Sequence, residues 1–518
     1  MGNKILWVDD EIEALESLVS YLQVKGYQVF KANNGQSAIE IMEREVFDLL
    51  LIDQNMPGLT GIEIINKIKS QPSTLKISLI SKNEQSDFID HALANKVDDF
   101  LIKPIRPQQL EVLVKKLLHQ KDLVEHNLQE EFRNSYRELS EDLESCKSFT
   151  DYAMLHKKIE SLLSIYASEN LESFEQMINQ LKADLDKSFF KLIIREYQSW
   201  INDSSLNRPM MIHDLFPKWI IPKVKSSKAP ILNLVLDNMR LDQYLILKKS
   251  IEEFYNIKEE HFFSSLLPST TAFSRNALFS GMTPLEIAKN YPELWSGNDL
   301  EYKNKNEEEL LKKLLQRNKI DDNILFEKTS SNEKIHRLIN KLKEFKDKTT
   351  TVLVVNNLDD ISHEIDSPIV KHQIHASYKQ NNAYTALWFE FSNLKKLLKK
   401  ASEKGIDLII TTDHGSTKVD KPNQIKGDRT LTNNLRYKQG LSISYNSKLN
   451  ASFKELNKIG IPNNHKNDQM IFAGPKTFYT YPKIENSLIT KFENTFQHGG
   501  ISLDEMILAA GYFTSKKK

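Results

Sequence analysis

The sequence predicts an α/β fold at each end of the chain with an all-helical connector between, and two observations carry that reading. Short β-branched runs alternate with helical segments before residue 120 and after residue 205, as in strands that helices must cover. Between them the breakers vanish: no glycine lies between Gly61 and Gly281, and no proline between Pro107 and Pro209. The shared stretch is rich in Leu, Glu, Lys and Gln and reads as consecutive helices. The expected division is 1–120, 121–205 and 206–518, since 518 residues are too many for one compact core.

Four strand ends organise the first part. KILWVDDE ends in Asp9 and Asp10, and FDLLLIDQNMPG ends in Asp53. ISLISKN ends near Ser81, and DDFLIKPI ends in Lys103-Pro104. Parallel sheets gather their functional groups at the carboxyl ends of strands. Clustered acids there hold Mg²⁺ through oxygen, and a lysine and a hydroxyl neutralise a phosphoryl group. One such acid alone is more often a helix cap; the order of all four ends is what singles them out. Within the stretch that lacks both breakers, LEVLVKKLLHQKDLV places Leu110, Leu113, Val114, Leu117 and Leu118 on one helical face.

Three strand ends repeat the pattern in the last part. APILNLVLDNMRLD ends in Asp237, TTTVLVVNNLDDISH ends in Asp359 with His363 beyond it, and GIDLIITTDHG ends in Asp413-His414. NTFQHGG adds His498 beside two glycines, where backbone can approach a metal closely. LPSTTAFSRNALFSGMTP is a hydroxyl-rich turn opening a helix, with Thr271 at its mouth and the helix amides aimed at the same place. Acids and imidazoles of this kind hold Zn²⁺ or Mn²⁺ with positions open for substrate. Two metals ~4 Å apart can clamp both oxygens of an in-line displacement. A threonine hydroxyl is a poor nucleophile unless a metal lowers its pKa. Thr270 and Thr271 alone would read as helix caps. His372 and His375, in KHQIHASY, lack an acid partner at a strand end and are left unassigned.

Composition excludes several classes. Lys plus Arg and Asp plus Glu both number 70, so no global field draws the chain to nucleic acid or anionic lipid. Nothing after residue 120 offers a short helical pair with a basic recognition face for DNA. The lone Cys146 cannot form an internal disulfide, which points to a reducing compartment. MGNKILWVDDE has no apolar signal core, and Leu6 stands where myristoylation wants Ser or Thr. No apolar run approaches the ~18 residues of a membrane span. The expectation is a cytoplasmic protein without membrane insertion.

The first 120 residues resemble the receiver domain of two-component response regulators, a doubly wound α/β fold. The resemblance implies that Asp53 accepts a phosphoryl group from a sensor histidine kinase. It implies that Asp9, Asp10, Asp53 and the Asn55 carbonyl hold magnesium, that Ser81 and Lys103 contact the phosphoryl oxygens, and that Phe100 is the aromatic switch. A cis Lys103-Pro104 bond is also implied. The order Asp, Thr, Asp-x-x-x-His, Asp-His, His resembles the alkaline phosphatase superfamily, especially its phosphodiesterases and PglZ-type domains, with the α/β fold of that superfamily. That implies two zinc ions, or manganese in their place: one on Asp237, Thr271, Asp413 and His414, the other on Asp359, His363 and His498. Thr271 would be the catalytic nucleophile. Arg275 and Asn276, beside Ser274, stand where nucleotide phosphodiesterases usually have an asparagine on phosphate. KGDRTLTNNLRYKQG also looks PglZ-like and offers Arg429, Arg436 and Lys438 to substrate phosphate.

Receiver, helical connector and PglZ-type domain together resemble the PorX-type response regulators of type IX secretion. The resemblance implies a metal-dependent phosphodiesterase acting on nucleotide or oligonucleotide phosphodiesters, cyclic nucleotides included. It also implies a phosphorylation-dependent homodimer, with a sigma factor and secretion-system components as partners. The alternative is a phosphorylation-switched adaptor with a structural metal site.

Overall fold

The computed structural model describes residues 3–68, 75–82, 97–168, 172–203, 208–295, 304–321, 323–347, 350–359, 377–427, 434–463, 465, 467–481 and 486–516. Contacts divide the chain into two compact units, Met1–Ser135 and Tyr136–Lys518.

The first unit is a parallel sheet of β1 (Lys4–Val8), β2 (Gln28–Ala32), β3 (Leu49–Asp53), β4 (Lys76–Ser81) and β5 (Asp99–Ile102). Its order is β2-β1-β3-β4-β5, with α1 (Glu16–Val24), α2 (Gly35–Arg44) and α3 (Gly61–Ile68) among its helices. The strands are apolar at nearly every position because both faces are covered. Leu6, Val8, Leu50 and Ile52 face one core, while Ile5, Trp7, Leu49 and Leu51 face the other. The start of α4 (Pro107–Ser145) packs Leu110, Leu113, Val114 and Leu117 into that second core. The reversal of strand order falls between β1 and β3, where a doubly wound sheet opens its crevice.

The stretch without glycine or proline folds as three long helices: α4, α5 (Phe149–Ser168) and α6 (Glu172–Asn202). In the second unit, α5 and α6 pack against a six-stranded sheet made of β6 (Ile231–Leu236), β7 (Tyr255–Ser264), β8 (Ile324–Thr329), β9 (Thr350–Val355), β10 (Asp407–Thr411) and β11 (Ile507–Ser515). Its order is β7-β11-β10-β6-β9-β8. The four strands β10, β6, β9 and β8 run parallel, and β11 is antiparallel to β10 and β7. Two helices matter for the site: α7 (Leu241–Ile251) and α8 (Thr271–Ser280).

Buried polar contacts fix α5 and α6 in place. Tyr197 of α6 accepts from the Leu267 amide at 2.8 Å, and Asp186 accepts from the Leu503 amide at 2.8 Å. Lys182 bridges Glu160 at 2.7 Å and Asp504 at 2.9 Å, and His156 lies 3.3 and 3.2 Å from the same two acids. Burial opposes charge on His156, but the Asp504 and Glu160 carboxylates outweigh it and raise its pKa to about 9. A raised folded-state pKa stabilises most below the unfolded value near 6.5 and loses that contribution as pH climbs through 9. The thermal midpoint of the wild type should therefore fall across that window more steeply than that of His156→Gln; parallel curves would contradict the charged imidazole.

Among the described residues no helix is long and apolar enough to cross a membrane.

Candidate functional site

At the carboxyl edge of the first sheet, Asp9, Asp10 and Asp53 bring carboxylate oxygens within 4.8 Å of one another. Each strand is a short apolar run that ends there, so the acids leave the core at one edge. Lys103 reaches Asp53 at 2.6 Å and Asp9 at 2.8 Å. Burial works against its ammonium, yet the hydrogen bonds to Asp53 and Asp9 hold its pKa above the ordinary value. The Asn55 amide points at Asp53 Oδ1 at 3.4 Å. Ser81 is buried at the end of β4, Phe100 is half-buried on β5, and Lys103-Pro104 is cis. Gly61 is required by packing: a Cβ there would sit 2.5 Å from the Asp53 carbonyl oxygen.

The second site stands at the carboxyl ends of three adjacent parallel strands. Val235 of β6 is paired with Val354 of β9 and with Thr411 of β10, so the chain leaves all three strands side by side. Asp237, Asp413 and His414 place ligand atoms within 4.8 Å of one another. Thr271, the first residue of α8, puts its hydroxyl 2.9 Å from His414 Nε2 and 3.4 Å from Asp237. His414 Nδ1 lies 3.2 Å from the Gly415 carbonyl oxygen, which it can reach only as a donor. That leaves the Nε2 lone pair facing Thr271. His498 Nε2 is 3.8 Å from Asp359, and its ring stacks on His414 with centroids 4.5 Å apart. The two expected ligand groups are thus contiguous. His363, His372, His375 and Arg429 lie outside the described residues.

Electrostatics bear on whether this set suits divalent cations. Burial pushes Asp237 well above the usual carboxylate range, although Arg275 opposes the shift, with Asp413 and Asp359 adding to it. Asp413 is held below its usual value: His414 and Arg275 outweigh its burial. Three carboxylates and two imidazoles crowded into low dielectric lack enough positive charge for full ionisation. Their oxygen and nitrogen donors suit zinc or manganese. The residues fit the ions.

Four expected substrate contacts need correction. Arg275 is buried, with Nε 2.9 Å from Asp413 and a second nitrogen on Asp237. It also reaches Asn356 at 3.2 Å and Glu307 at 3.6 Å. It orients the carboxylates from below rather than meeting a phosphate. Asn276 turns its amide back to the Ala272 carbonyl of its own helix at 2.9 Å. Arg436 is wholly buried, forked onto Glu505, and donates to the Gly474 and Thr477 carbonyls. Lys438 is buried too, its ammonium 5.0 Å from the Tyr481 ring centre, and burial lowers its pKa to about 8. The glycines after His498 also serve packing: a Cβ on Gly499, whose φ is +116°, would meet Asn434 and Tyr437 at 2.9 Å.

The corrected role of Arg436 has a consequence. Arg436→Ala should leave Glu505 charged, buried and unpaired, and lower unfolding stability by ~3–5 kcal/mol. Denaturant titration checks this; unchanged stability with weakened substrate binding would restore the phosphate contact.

Sequence reasoning missed Asn238, at φ +61°, which joins the two ligand groups. Its amide nitrogen donates to Asp413 at 3.3 Å and its side chain to Asp359 at 3.0 Å. An asparagine just past a strand end, where a left-handed residue is needed, was the available signal. The trio of His156, Glu160 and Asp504 also has metal-like spacing, but Lys182 bridges both acids and the same acids hold His156 protonated, so its ring has no lone pair to offer.

Comparison with known proteins divides the chain in the same order. A model of the BREX system PglZ alkaline phosphatase-like domain matches residues 215–510. A model of the response regulator receiver domain matches 5–115, and a PorX response regulator linker domain matches 122–201. The transcriptional regulatory protein SrrA of Staphylococcus aureus is 27% identical over 168 residues, covering 30% of this chain and 69% of SrrA. A CheY-like receiver domain from Methanospirillum hungatei JF-1 is 25% identical, with TM-score 0.23, over 24% of this chain and 98% of that one. Chemotaxis protein CheY4 of Vibrio cholerae is 28% identical, with TM-score 0.22, over 23% of this chain and 100% of its own.

Proposed function

The chain belongs to the PglZ alkaline phosphatase-like family and carries the receiver, linker and output parts of a PorX-type response regulator; from that premise we propose that its output domain is a metal-dependent phosphodiesterase. The observation that carries the reading is Thr271, whose hydroxyl stands 2.9 Å from His414 and 3.4 Å from Asp237 at the mouth of α8.

Asp237, Thr271, Asp413 and His414 would hold one divalent cation, and Asp359 and His498 would contribute to the second. Such ions supply positive charge to phosphoryl oxygens and favour ionisation of a nearby hydroxyl. Thr271 Oγ attacks phosphorus in line, the phosphorus–oxygen bond to the leaving alcohol breaks, and a phosphothreonine ester remains. Water then opens that ester and restores the threonine. With His414 Nε2 given to the cation, the proton that Thr271 sheds passes to solvent. Asn238 and Arg275 keep Asp359, Asp237 and Asp413 aimed at the reacting centre. Substrates are nucleotide or oligonucleotide phosphodiesters, cyclic forms included.

In the receiver, Asp53 accepts the phosphoryl group from a histidine kinase, with magnesium on Asp9, Asp10, Asp53 and the Asn55 carbonyl. Ser81 and Lys103 contact the transferred oxygens. Phosphorylation favours a homodimer and controls type IX secretion through a sigma factor or secretion-system components, in the cytoplasm.

Metal content tests the core of this reading. Protein purified without chelator should carry close to two zinc ions per chain. Asp413→Ala should empty mainly the first position and His498→Ala the second. Elemental analysis that finds full occupancy in both variants would refute the ligand set.

A further inference from the structure

A cavity of about 420 Å³ opens in the second unit between α6 and the turn at Gly474–Thr477, and none of the strand-end acids lines it. Lys187, Lys191, Lys421, Lys448 and Lys476 line it. Lys187 is paired with Asp184 at 2.8 Å, but the other four have no carboxylate partner among the described residues. The chain as a whole is neutral, with 70 residues of each charge, so composition does not explain this concentration. Lys187, Lys191, Lys421 and Lys448 are exposed, so an anionic ligand can meet the gathered ammonium groups directly from solvent.

Two further features argue that the arrangement is built for a ligand. Lys476 holds φ at +59°, a conformation that glycine or asparagine adopts at lower cost. A lysine stands there against the preference of the backbone. Beside the cations, Leu449 and Pro475 give the cavity an apolar wall. The one acid in the lining, Asp186, is pushed up to about 7 by its burial and by Asp504, so it offsets only part of a charge at neutral pH. A volume of a few hundred Å³ suits a small molecule rather than a protein segment.

We propose that this cavity binds a small polyphosphorylated ligand, a nucleoside polyphosphate, with the lysines on its phosphates and the apolar wall against its nucleoside. The site is distinct from the strand-end acids and needs no metal. Its floor is nevertheless tied to them. Arg436 holds the Gly474 and Thr477 carbonyls from beneath and is forked onto Glu505. Glu505 accepts from the Gly500 amide at 2.8 Å, two residues from His498.

The test is calorimetric titration of the full chain with ATP, ADP, AMP and tripolyphosphate, with chelator present so that metal-dependent binding at the strand ends does not contribute. Saturable binding at one site per chain is expected, tightening with phosphate number and weakening as salt rises. The double variant Lys421→Glu, Lys448→Glu should lose roughly tenfold or more in ATP affinity, with its melting temperature and its hydrolysis of bis-p-nitrophenyl phosphate unchanged. ATP binding more tightly than tripolyphosphate would support the nucleoside form. Equal affinities would support the phosphate chain and overturn the nucleoside contact. No saturable binding, or binding indifferent to the double charge reversal, overturns the site altogether.

Discussion

Thr271→Val is expected to lower hydrolysis of bis-p-nitrophenyl phosphate by at least about a thousandfold while the protein stays folded and keeps most of its metal. Valine nearly preserves the volume of threonine at the head of α8 but deletes the oxygen that sits between His414 and Asp237. The acids and imidazoles remain on their strands, so a purely structural role for the metals would predict at most a modest loss of metal and no selective loss of hydrolysis. Thr270→Val is the matched control. Its hydroxyl is buried without a hydrogen-bond partner among the described residues, so its removal should cost little or even stabilise. Equal losses in the two variants would mean that the turn, not the Thr271 oxygen, matters. Wild-type protein, metal-loaded and phosphorylated, that leaves this ester and short oligonucleotides intact would exclude the enzyme and favour the adaptor.

The second large effect concerns Asp53. Acetyl phosphate with Mg²⁺ should add one phosphoryl group to the wild type, seen as a single mass increment, and Asp53→Asn should take up none. The carboxylate is nearly buried and its neighbour Lys103 is 2.6 Å away, so the amide keeps the shape but loses the nucleophile. Labelling retained in that variant would place the phosphoacceptor elsewhere. Light scattering of the phosphorylated wild type should show a mass shift toward a dimer. An unchanged mass would remove dimerisation from the mechanism.

The strand ends were legible in the sequence because burial writes them in plain form. A strand covered on both faces is an unbroken apolar run, so the first acid after it marks the sheet edge, as at Ile52-Asp53, Leu236-Asp237 and Thr412-Asp413. The helical middle was legible from its missing glycines and prolines. What the sequence did not disclose depends on tertiary pairing. Arg275 looks like a phosphate contact because of its place in the turn the family uses for phosphate, and Arg436 because a cation in a polar loop is usually solvated. Only the fold reveals that the partners of Arg275 are Asp237 and Asp413, and that Glu505 waits for Arg436. Glu505 could have been suspected as a capping residue, since Ser502 accepts from its amide in the S-x-x-E arrangement. The lysine cavity was invisible because its members come from α6 and from three separate later segments.

The side-by-side departure of β9, β6 and β10 bears on how such a site survives change over evolutionary time. Neighbouring strands stand ~4.8 Å apart whatever connects them, so the lateral spacing of Asp237 and Asp413, which follow β6 and β10 directly or one residue on, is set by the sheet's own lattice. The connecting segments, which run through long stretches of chain between β6, β9 and β10, contribute little to it. Insertions and deletions in those connections should be tolerated wherever they spare α8, which carries Thr271, and the turn after β9, which carries Asp359, whereas a single residue gained or lost inside a strand would turn its terminal acid to the opposite face. Distant relatives will therefore align by the last apolar residue of β6 and β10, and the gap lengths outside α8 and the turn after β9 carry almost no information about whether the site is intact.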